Sequence, residues 1–154
     1  MEHSLIRAAT IDDAQRVSQL MTELGYPTTV EAMRDRLEAI VADPNYATFV
    51  ADTKACVVGV AGATLGKHYE KDGVYCQLLV LAVSSTARGQ GTGSRLVEAV
   101  ERWAESKGAR AIVVNSALHR GDAHRFYERR KYARTGYRFV KQLNEAGLAH
   151  GRPE

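Results

Sequence analysis

One stretch, residues 79–103, constrains the fold more than any other part of the 154-residue chain. It begins with the apolar run Leu-Val-Leu-Ala-Val, which ends at Val83, and passes through a short polar turn into the segment Arg-Gly-Gln-Gly-Thr-Gly at residues 88–93. The apolar positions that follow recur at i, i+4 and i+7, as Leu96, Val100 and Trp103. This spacing is typical of an amphipathic helix. The stretch therefore predicts a buried strand, a glycine-rich turn and a helix in series.

This order of elements predicts an anion-binding site. The first N–H groups of a helix have no partner within the helix, and the positive end of the helix dipole points towards the preceding loop. Glycines remove side chains that would keep a phosphate from the backbone amides. The candidate residues are Arg88, Gly89, Gln90, Gly91, Thr92, Gly93 and Ser94. The alternative is that the glycines only turn a strand into a helix.

Two common phosphate loops do not match this segment. A Walker loop needs a Lys-Ser/Thr pair after its last glycine, whereas Ser94-Arg95 follows Gly93. The dinucleotide fingerprint needs a third glycine, and the positions where it would fall hold Ser94 or Leu96.

Composition predicts one globular domain, residues 1–154, with its core at about 5–143 and a frayed tail at 144–154. A hydrophobic content of 45% and a charged content of 25% are ordinary for such domains. The net charge of +3 is too small to imply a polyanionic partner by itself.

Nothing in the sequence predicts export or membrane insertion. There is no apolar run of 18 residues and no N-terminal basic segment followed by an apolar one. Cys56 and Cys76 show no Cys-x-x-Cys spacing, so reduced thiols and a cytoplasmic location are expected.

Local patterns predict the remaining elements. The predicted strands cover residues 5–8, 46–51, 56–65, 74–83, 111–114, 132–135 and 137–143. The predicted helices run from Ile11 after the cap Thr10, from a capping pair formed by Thr28 and Glu31, after Gly93, and over residues 122–131 after the cap Asp122. Glycines in strand 56–65 allow a bulge, and the continuous apolar run 111–114 predicts a strand buried on both faces.

At this point a family resemblance is visible. The pattern Arg88-x-x-Gly91-x-Gly93 after a strand ending at Val83 resembles the acetyl-CoA signature of the GNAT superfamily of N-acetyltransferases. Asn115 and residues 123–128 resemble the second conserved block of that family. The resemblance implies a single-domain α/β fold whose mixed central sheet is flanked by about four helices. It also implies a splay, between the strand ending at Val83 and strand 111–114, that holds acetyl-CoA.

The resemblance also implies roles for individual residues. The backbones of Leu81 and Val83 would pair with the pantetheine arm, and the N–H of Val83 would donate to the thioester oxygen, while the glycine loop would hold the pyrophosphate. Further candidates for cofactor contacts are Asn115, Phe126 and Arg130. Asn115 could instead be a residue that ends a strand.

Tyr127 is the candidate general acid, because the family often places a tyrosine near the CoA sulfur at this position. A phenol is protonated at neutral pH, as a proton donor must be. The alternative is that Tyr127 only packs beside Phe126. Many family members carry a glutamate base on the strand before the signature, but here that strand offers Gln77 and no carboxylate. Substitutes on neighbouring segments are Glu23, His68, Glu70 and Tyr75.

We therefore expect an acetyl-CoA-dependent N-acetyltransferase that acts on a small primary amine: an aminoglycoside, a polyamine or an amino acid derivative. The acceptor would lie between the first two helices and the hairpin loop at residues 66–73. A protein N-acetyltransferase and a non-catalytic acyl-CoA sensor or interaction module are the alternatives, and a homodimer is left open.

Two other ligand classes are not expected. The spacing of His119 and His124 does not match a metal site. The basic region at residues 120–141 lacks the interleaved aromatic residues of a stacking platform, so no specific nucleic acid is expected.

Overall fold

The structure, a computed structural model, describes residues 4–115 and 121–144. Five strands form one sheet in chain order: β1 (Leu5–Ala8), β2 (Tyr46–Asp52), β3 (Val57–Lys67), β4 (Val74–Val83) and β5 (Ala109–Val114). Four helices accompany them: α1 (Ala14–Leu24), α2 (Val30–Ala42), α3 (Thr92–Ser106) and α4 (Gly121–Arg129). Neighbouring strands are antiparallel except for β4 and β5, which are parallel. The predicted α/β class with a mixed sheet and four helices is confirmed.

The chain divides into two compact units at Val114. The first unit contains the sheet and α1 to α3, and the second begins at Asn115 and contains α4. None of the helices among the residues described is long and apolar enough to cross a bilayer.

The core on one face of the sheet is built by α1 and α2. Leu20 and Leu37 are almost completely buried against Val60 of β3 and Ala82 of β4. On the other side of β3, α3 lies close to Gly59. Leu96 and Val100 of the predicted apolar stripe of α3 are buried, whereas Trp103 is only half-buried. The helix that follows the glycine loop is therefore fixed by its packing against the sheet.

Gly59→Ala is expected to lower the free energy of unfolding by about 1–3 kcal/mol, as overpacking does. A Cβ at this position would lie 2.9 Å from Cδ1 of the buried Leu96 and 3.3 Å from the backbone oxygen of Ala82. Urea unfolding measures the change. Gly136→Ala is the matched control, because a Cβ there meets nothing within 4 Å. Equal stability of the two variants would contradict the close approach of α3 to β3.

The predicted cap before α1 agrees with the structure, whereas the predicted cap of α2 does not. The predicted cap Thr10 is confirmed: it precedes a short 3₁₀ turn, Ile11–Asp13, and its N–H donates to Asp13 Oδ2 at 2.8 Å. The predicted cap Thr28 is wrong by one residue. Thr29 caps α2 and accepts from the N–H of Ala32 at 3.1 Å. The hydroxyl of Thr28 instead accepts from the Arg36 guanidinium.

Helix α4 begins at Gly121, so Asp122 lies in its first turn and pairs with the Arg125 guanidinium instead of capping the helix. Residue 120, just before it, lies outside the residues described. A carboxylate in the first turn is still favourable, because it faces the positive end of the helix dipole.

Two strand predictions are wrong. Residues 132–135 and 137–143 form no strand within the described chain, and their large side chains are exposed: Tyr137 by 84%, Phe139 by 92% and Leu143 by 88%. A local pattern can predict an extended chain, but it does not supply a sheet partner. Strand β5 is not buried on both faces either, since Val113 is 44% exposed. Ala111 is exposed as well, whereas Ile112 and Val114 are half-buried, so the face of β5 that carries Ala111 and Val113 is the uncovered one.

Candidate cofactor and active site

The parallel strands β4 and β5 separate halfway along β4. Their last paired residues are Leu78 and Val114, and β5 supplies no partner for residues 79–83. Pairing therefore ends where the resemblance places the splay, and the divergence of the two strands beyond this point stays a prediction. The end of pairing leaves one backbone edge of β4 without a strand partner from β5, and such an edge can accept an extended ligand as an added strand.

A β-bulge lies at the point where the strands separate. Across β3 and β4, Gly62 pairs with Val80 but Ala63 pairs with Leu78, so Leu79 has no partner. A bulge bends its strand and increases the local twist. The glycines of β3 indicated an irregularity, but the sequence did not reveal that the extra residue belongs to β4. The bulge therefore bends β4 just before residues 79–83, the part of the strand that follows its last pair with β5.

The segment after β4 returns the chain to the start of α3. A 3₁₀ turn, Ser85–Ala87, follows Val83, and Gly89 and Gly91 then adopt φ values of +79° and +78°. These left-handed conformations favour glycine. Gly91 caps α3, so Gly93, expected in the loop, lies in the first helical turn instead.

The amides at the start of α3 are available for an anion. Arg95 is the first residue whose N–H bonds back along the helix, to the oxygen of Gly91 at 3.1 Å. The amides of Thr92, Gly93 and Ser94 come before this bond and therefore have no acceptor within the helix. Arg88 is exposed at the same loop, and its Nε donates to the oxygen of Val83 at 3.4 Å. This geometry fits a pyrophosphate, whose binding here stays a prediction.

The candidate bases fall into two separate groups. His68, Glu70 and Tyr75 lie together at the end of the β3–β4 hairpin, where the His68 ring is 5.0 Å from the Tyr75 ring and its Nδ1 is 3.4 Å from Glu70 Oε1. A hydrogen bond from its own backbone amide, with nearby His68 and Lys71, holds the pKa of Glu70 below its usual value.

Glu23 lies elsewhere, at the C-terminal end of α1. Its Oε1 accepts from the N–H of Ser85 at 2.6 Å. That hydrogen bond, with the Ser85 hydroxyl and nearby Arg88 and Arg16, lowers the pKa of Glu23. A lower pKa makes a carboxylate a weaker base, so Glu23 is a poor candidate for deprotonating an amine.

The register of the sheet shows which side of β4 the polar residues face. Gln77 lies opposite Thr64, and Tyr75 lies opposite Gly66. Alternate residues of a strand share a face, so Gln77 and Tyr75 point to one side of the sheet. Tyr75 packs closely over Gly66, where an added Cβ would lie 2.5 Å from its ring. The hairpin thus places the His68 cluster on the same face as Gln77.

The remaining predicted site residues belong to the second unit. Tyr127 on α4 makes edge-on contacts with Phe126, at a ring distance of 5.3 Å, and with Tyr132, at 5.7 Å. The N–H of Arg130 bonds the oxygens of Phe126 and Tyr127 at the end of the helix. Asn115 is exposed directly after β5. Their cofactor and catalytic roles stay predictions.

The structure describes only some of the residues considered for a metal site or for the basic region. His119 and Arg120 lie outside the described residues. Within residues 4–115 and 121–144 there is no group of three or more His, Cys, Asp or Glu that could hold a metal ion. In the basic region, Arg134 pairs with Glu128 at 3.6 Å. Cys56 and Cys76 are free thiols, and burial raises the pKa of the Cys76 thiol to about 11.

A family model, related sequences and solved structures all identify this chain as similar to acetyltransferases. The model of the acetyltransferase (GNAT) family matches residues 14–132. The aminoalkylphosphonate N-acetyltransferase of Salmonella typhimurium is 32% identical over 139 residues, which cover 90% of each chain. A GNAT family acetyltransferase from Staphylococcus aureus is 25% identical, with a TM-score of 0.77 over 92% of this chain and 100% of that one.

A further solved structure shares the fold alone. It is AAC(6')-Iy in complex with the bisubstrate analogue CoA-S-monomethyl-acetylneamine, at 19% identity and a TM-score of 0.81, covering 93% of this chain and 99% of that one. Together with the glycine loop before α3, the family match and the close relative show that this chain is an acyltransferase that belongs to the GNAT family of acetyltransferases.

Proposed function

We propose that this protein transfers an acetyl group from acetyl-CoA to a primary amine of a small molecule. The observation that carries the proposal is the separation of β4 from β5 after the pair Leu78–Val114, directly before the glycine loop. Within the described residues, an edge of β4 that β5 does not pair and the first amides of α3 then follow one another along the chain. That is the order needed to hold an extended pantetheine arm and then a pyrophosphate.

Each part of the cofactor has a proposed set of contacts in this chain. The backbone groups of Leu81 and Val83 would bind the pantetheine arm, and the Val83 N–H would stabilise the negative charge that develops on the thioester oxygen. The loop amides and Arg88 would bind the pyrophosphate. Asn115, Phe126 and Arg130 would supply the remaining contacts.

In the proposed reaction the amine nitrogen forms a bond to the carbonyl carbon and the carbon–sulfur bond then breaks. Tyr127 would give its phenolic proton to the departing thiolate. The amine must lose a proton, and β4 offers no carboxylate for this. Gln77 faces the same side as the His68 and Glu70 pair, so a water held by Gln77 or the imidazole of His68 could receive it; capture of an already neutral amine is the third route.

The relative from Salmonella suggests the first acceptors to test. Its name assigns it an aminoalkylphosphonate, a small primary amine that carries an anion. Aminoglycosides, polyamines and amino acid derivatives complete the panel.

We expect saturable release of free thiol from acetyl-CoA with at least one amine class of this panel, with acetylated amine identified by mass spectrometry. Calorimetry with CoA runs in parallel, because it needs no acceptor. Binding of CoA without turnover on any amine would contradict the proposal and favour an acyl-CoA sensor. Turnover only on peptides would instead indicate a protein N-acetyltransferase.

A further inference from the structure

The turn that connects β4 to the glycine loop is held in place by groups from outside the loop. The N–H of Ser84 donates to the oxygen of Val58 on β3 at 2.8 Å. The next amide, of Ser85, donates to Glu23 Oε1 on α1 at 2.6 Å, across 62 residues of sequence. Ser85 is the first residue of the 3₁₀ turn, where an N–H has no partner within the turn. Glu23 therefore satisfies a group that the loop itself leaves without an acceptor.

The charge of Glu23 makes this contact unexpected for an anion site. Its carboxylate lies near Arg88, the cation of the proposed pyrophosphate loop. An exposed carboxylate there repels a phosphate, so its charge alone would weaken cofactor binding. A short hydrogen bond from a backbone amide to a carboxylate is, in contrast, among the stronger polar contacts in proteins. The two effects have opposite signs, so an experiment can separate them.

We propose that Glu23 is a positioning residue for the cofactor loop: its carboxylate anchors the Ser85 amide to the end of α1 and so holds Arg88 and the loop amides in the arrangement that binds the pyrophosphate. This inference rests on the proposed use of acetyl-CoA. It assigns no contact between Glu23 and the cofactor or the reacting atoms. It also gives a role to a carboxylate that is a poor candidate base and lies beside the loop.

The first test compares Glu23→Ala with Glu23→Gln by calorimetry with CoA. Glu23→Ala is expected to raise the Kd about tenfold, the size of effect expected when one hydrogen bond to a charged group is lost. Glu23→Gln keeps an acceptor oxygen at the same distance along the side chain, so its Kd should stay within about twofold of wild type. Once an acceptor is known, the KM for acetyl-CoA should rise in Glu23→Ala while kcat changes by less than about twofold.

The second test removes the donor instead of the acceptor. Ser85→Pro deletes the N–H, and the backbone accepts proline because Ser84 is extended, with φ −55° and ψ 142°, and position 85 begins a 3₁₀ turn. Ser85→Ala is the control for this variant, because it keeps the N–H and removes only the hydroxyl. We expect Ser85→Pro to match Glu23→Ala, and the double variant to bind no more weakly than either single variant, since both remove the same contact.

Glu38→Ala is the charge control, because Glu38 is an exposed carboxylate on α2. Its Kd for CoA should stay within about twofold of wild type, and melting temperatures report whether every variant is folded. Unchanged or tighter CoA binding by Glu23→Ala would overturn the inference, as would equal weakening by the Ala and Gln variants. If the wild-type protein itself binds no CoA, the proposed function fails; if it binds CoA and Glu23→Ala binds equally well, only this inference fails.

Discussion

Gly91→Val is expected to lower the affinity for CoA by about 100-fold or more, the loss that follows when two or more hydrogen bonds to charged phosphate oxygens are broken. Gly91 has φ +78° and caps α3, so the amides that follow it take their direction from its backbone. A β-branched residue strongly disfavours this conformation, because its Cβ meets the neighbouring carbonyl oxygen. Apart from Gly91 itself and its two chain neighbours, no atom lies within 4 Å of an added Cβ, so the effect would come from the local backbone and not from crowding by the rest of the fold.

Gly108→Val is the matched control for this experiment. Gly108 follows α3 at its other end, has φ +81° and also offers open space to a Cβ. Both variants should lose similar stability, but only Gly91→Val should lose CoA binding. Calorimetry measures affinity and thermal unfolding measures stability. If a folded Gly91→Val protein binds CoA with wild-type affinity, the glycine loop is not the anion site.

Tyr127→Phe is expected to reduce kcat and kcat/KM together, by about 10²–10⁴-fold, the contribution typical of a general acid. The substitution keeps the aromatic ring that packs edge-on against Phe126 and Tyr132 and removes only the hydroxyl. The Kd for acetyl-CoA should change little, because the proton is transferred only as the carbon–sulfur bond breaks. Steady-state kinetics with the acceptor identified in the amine panel provides the measurement.

Tyr132→Phe serves as the control, because it removes a hydroxyl from the neighbouring ring of the same aromatic cluster. It should retain near wild-type turnover. Turnover by Tyr127→Phe at the level of this control would refute the acid assignment and leave water or another donor to protonate the sulfur. An equal loss in both variants would show that the effect is not specific to the Tyr127 hydroxyl, which would also contradict the acid assignment.

The elements with strong local signals were predictable from the sequence. Strand β4 was predicted with its observed bounds, Val74–Val83, and so was β1. The apolar stripe of α3 and the glycines before it determine a helix that follows β4, although the run 79–83, predicted to be buried, includes Leu79, which is 50% exposed. These patterns act over a few residues, where side-chain period and the conformational freedom of glycine decide the structure. They were sufficient to identify the family and to propose its cofactor.

Features that depend on strand pairing were decided only in the tertiary structure. The bulged residue is Leu79 because Gly62 pairs with Val80 and Ala63 with Leu78, and no local pattern in β4 specifies that register. Residues 132–135 and 137–143 were predicted as strands from local pattern alone, yet they form none within the described chain, and Tyr137 and Phe139 are exposed. A local pattern does not supply a strand to pair with.

The contact between Glu23 and Ser85 is the clearest case of what the sequence alone could not show. Glu23 appeared there only as a weak candidate base among several acids. The amino-acid sequence determined that an acid lies near the end of α1 and that a turn follows β4. Only the packing of α1 against the sheet brings the two within 2.6 Å, because a hydrogen bond between residues 62 positions apart depends on the whole fold and leaves no local signal.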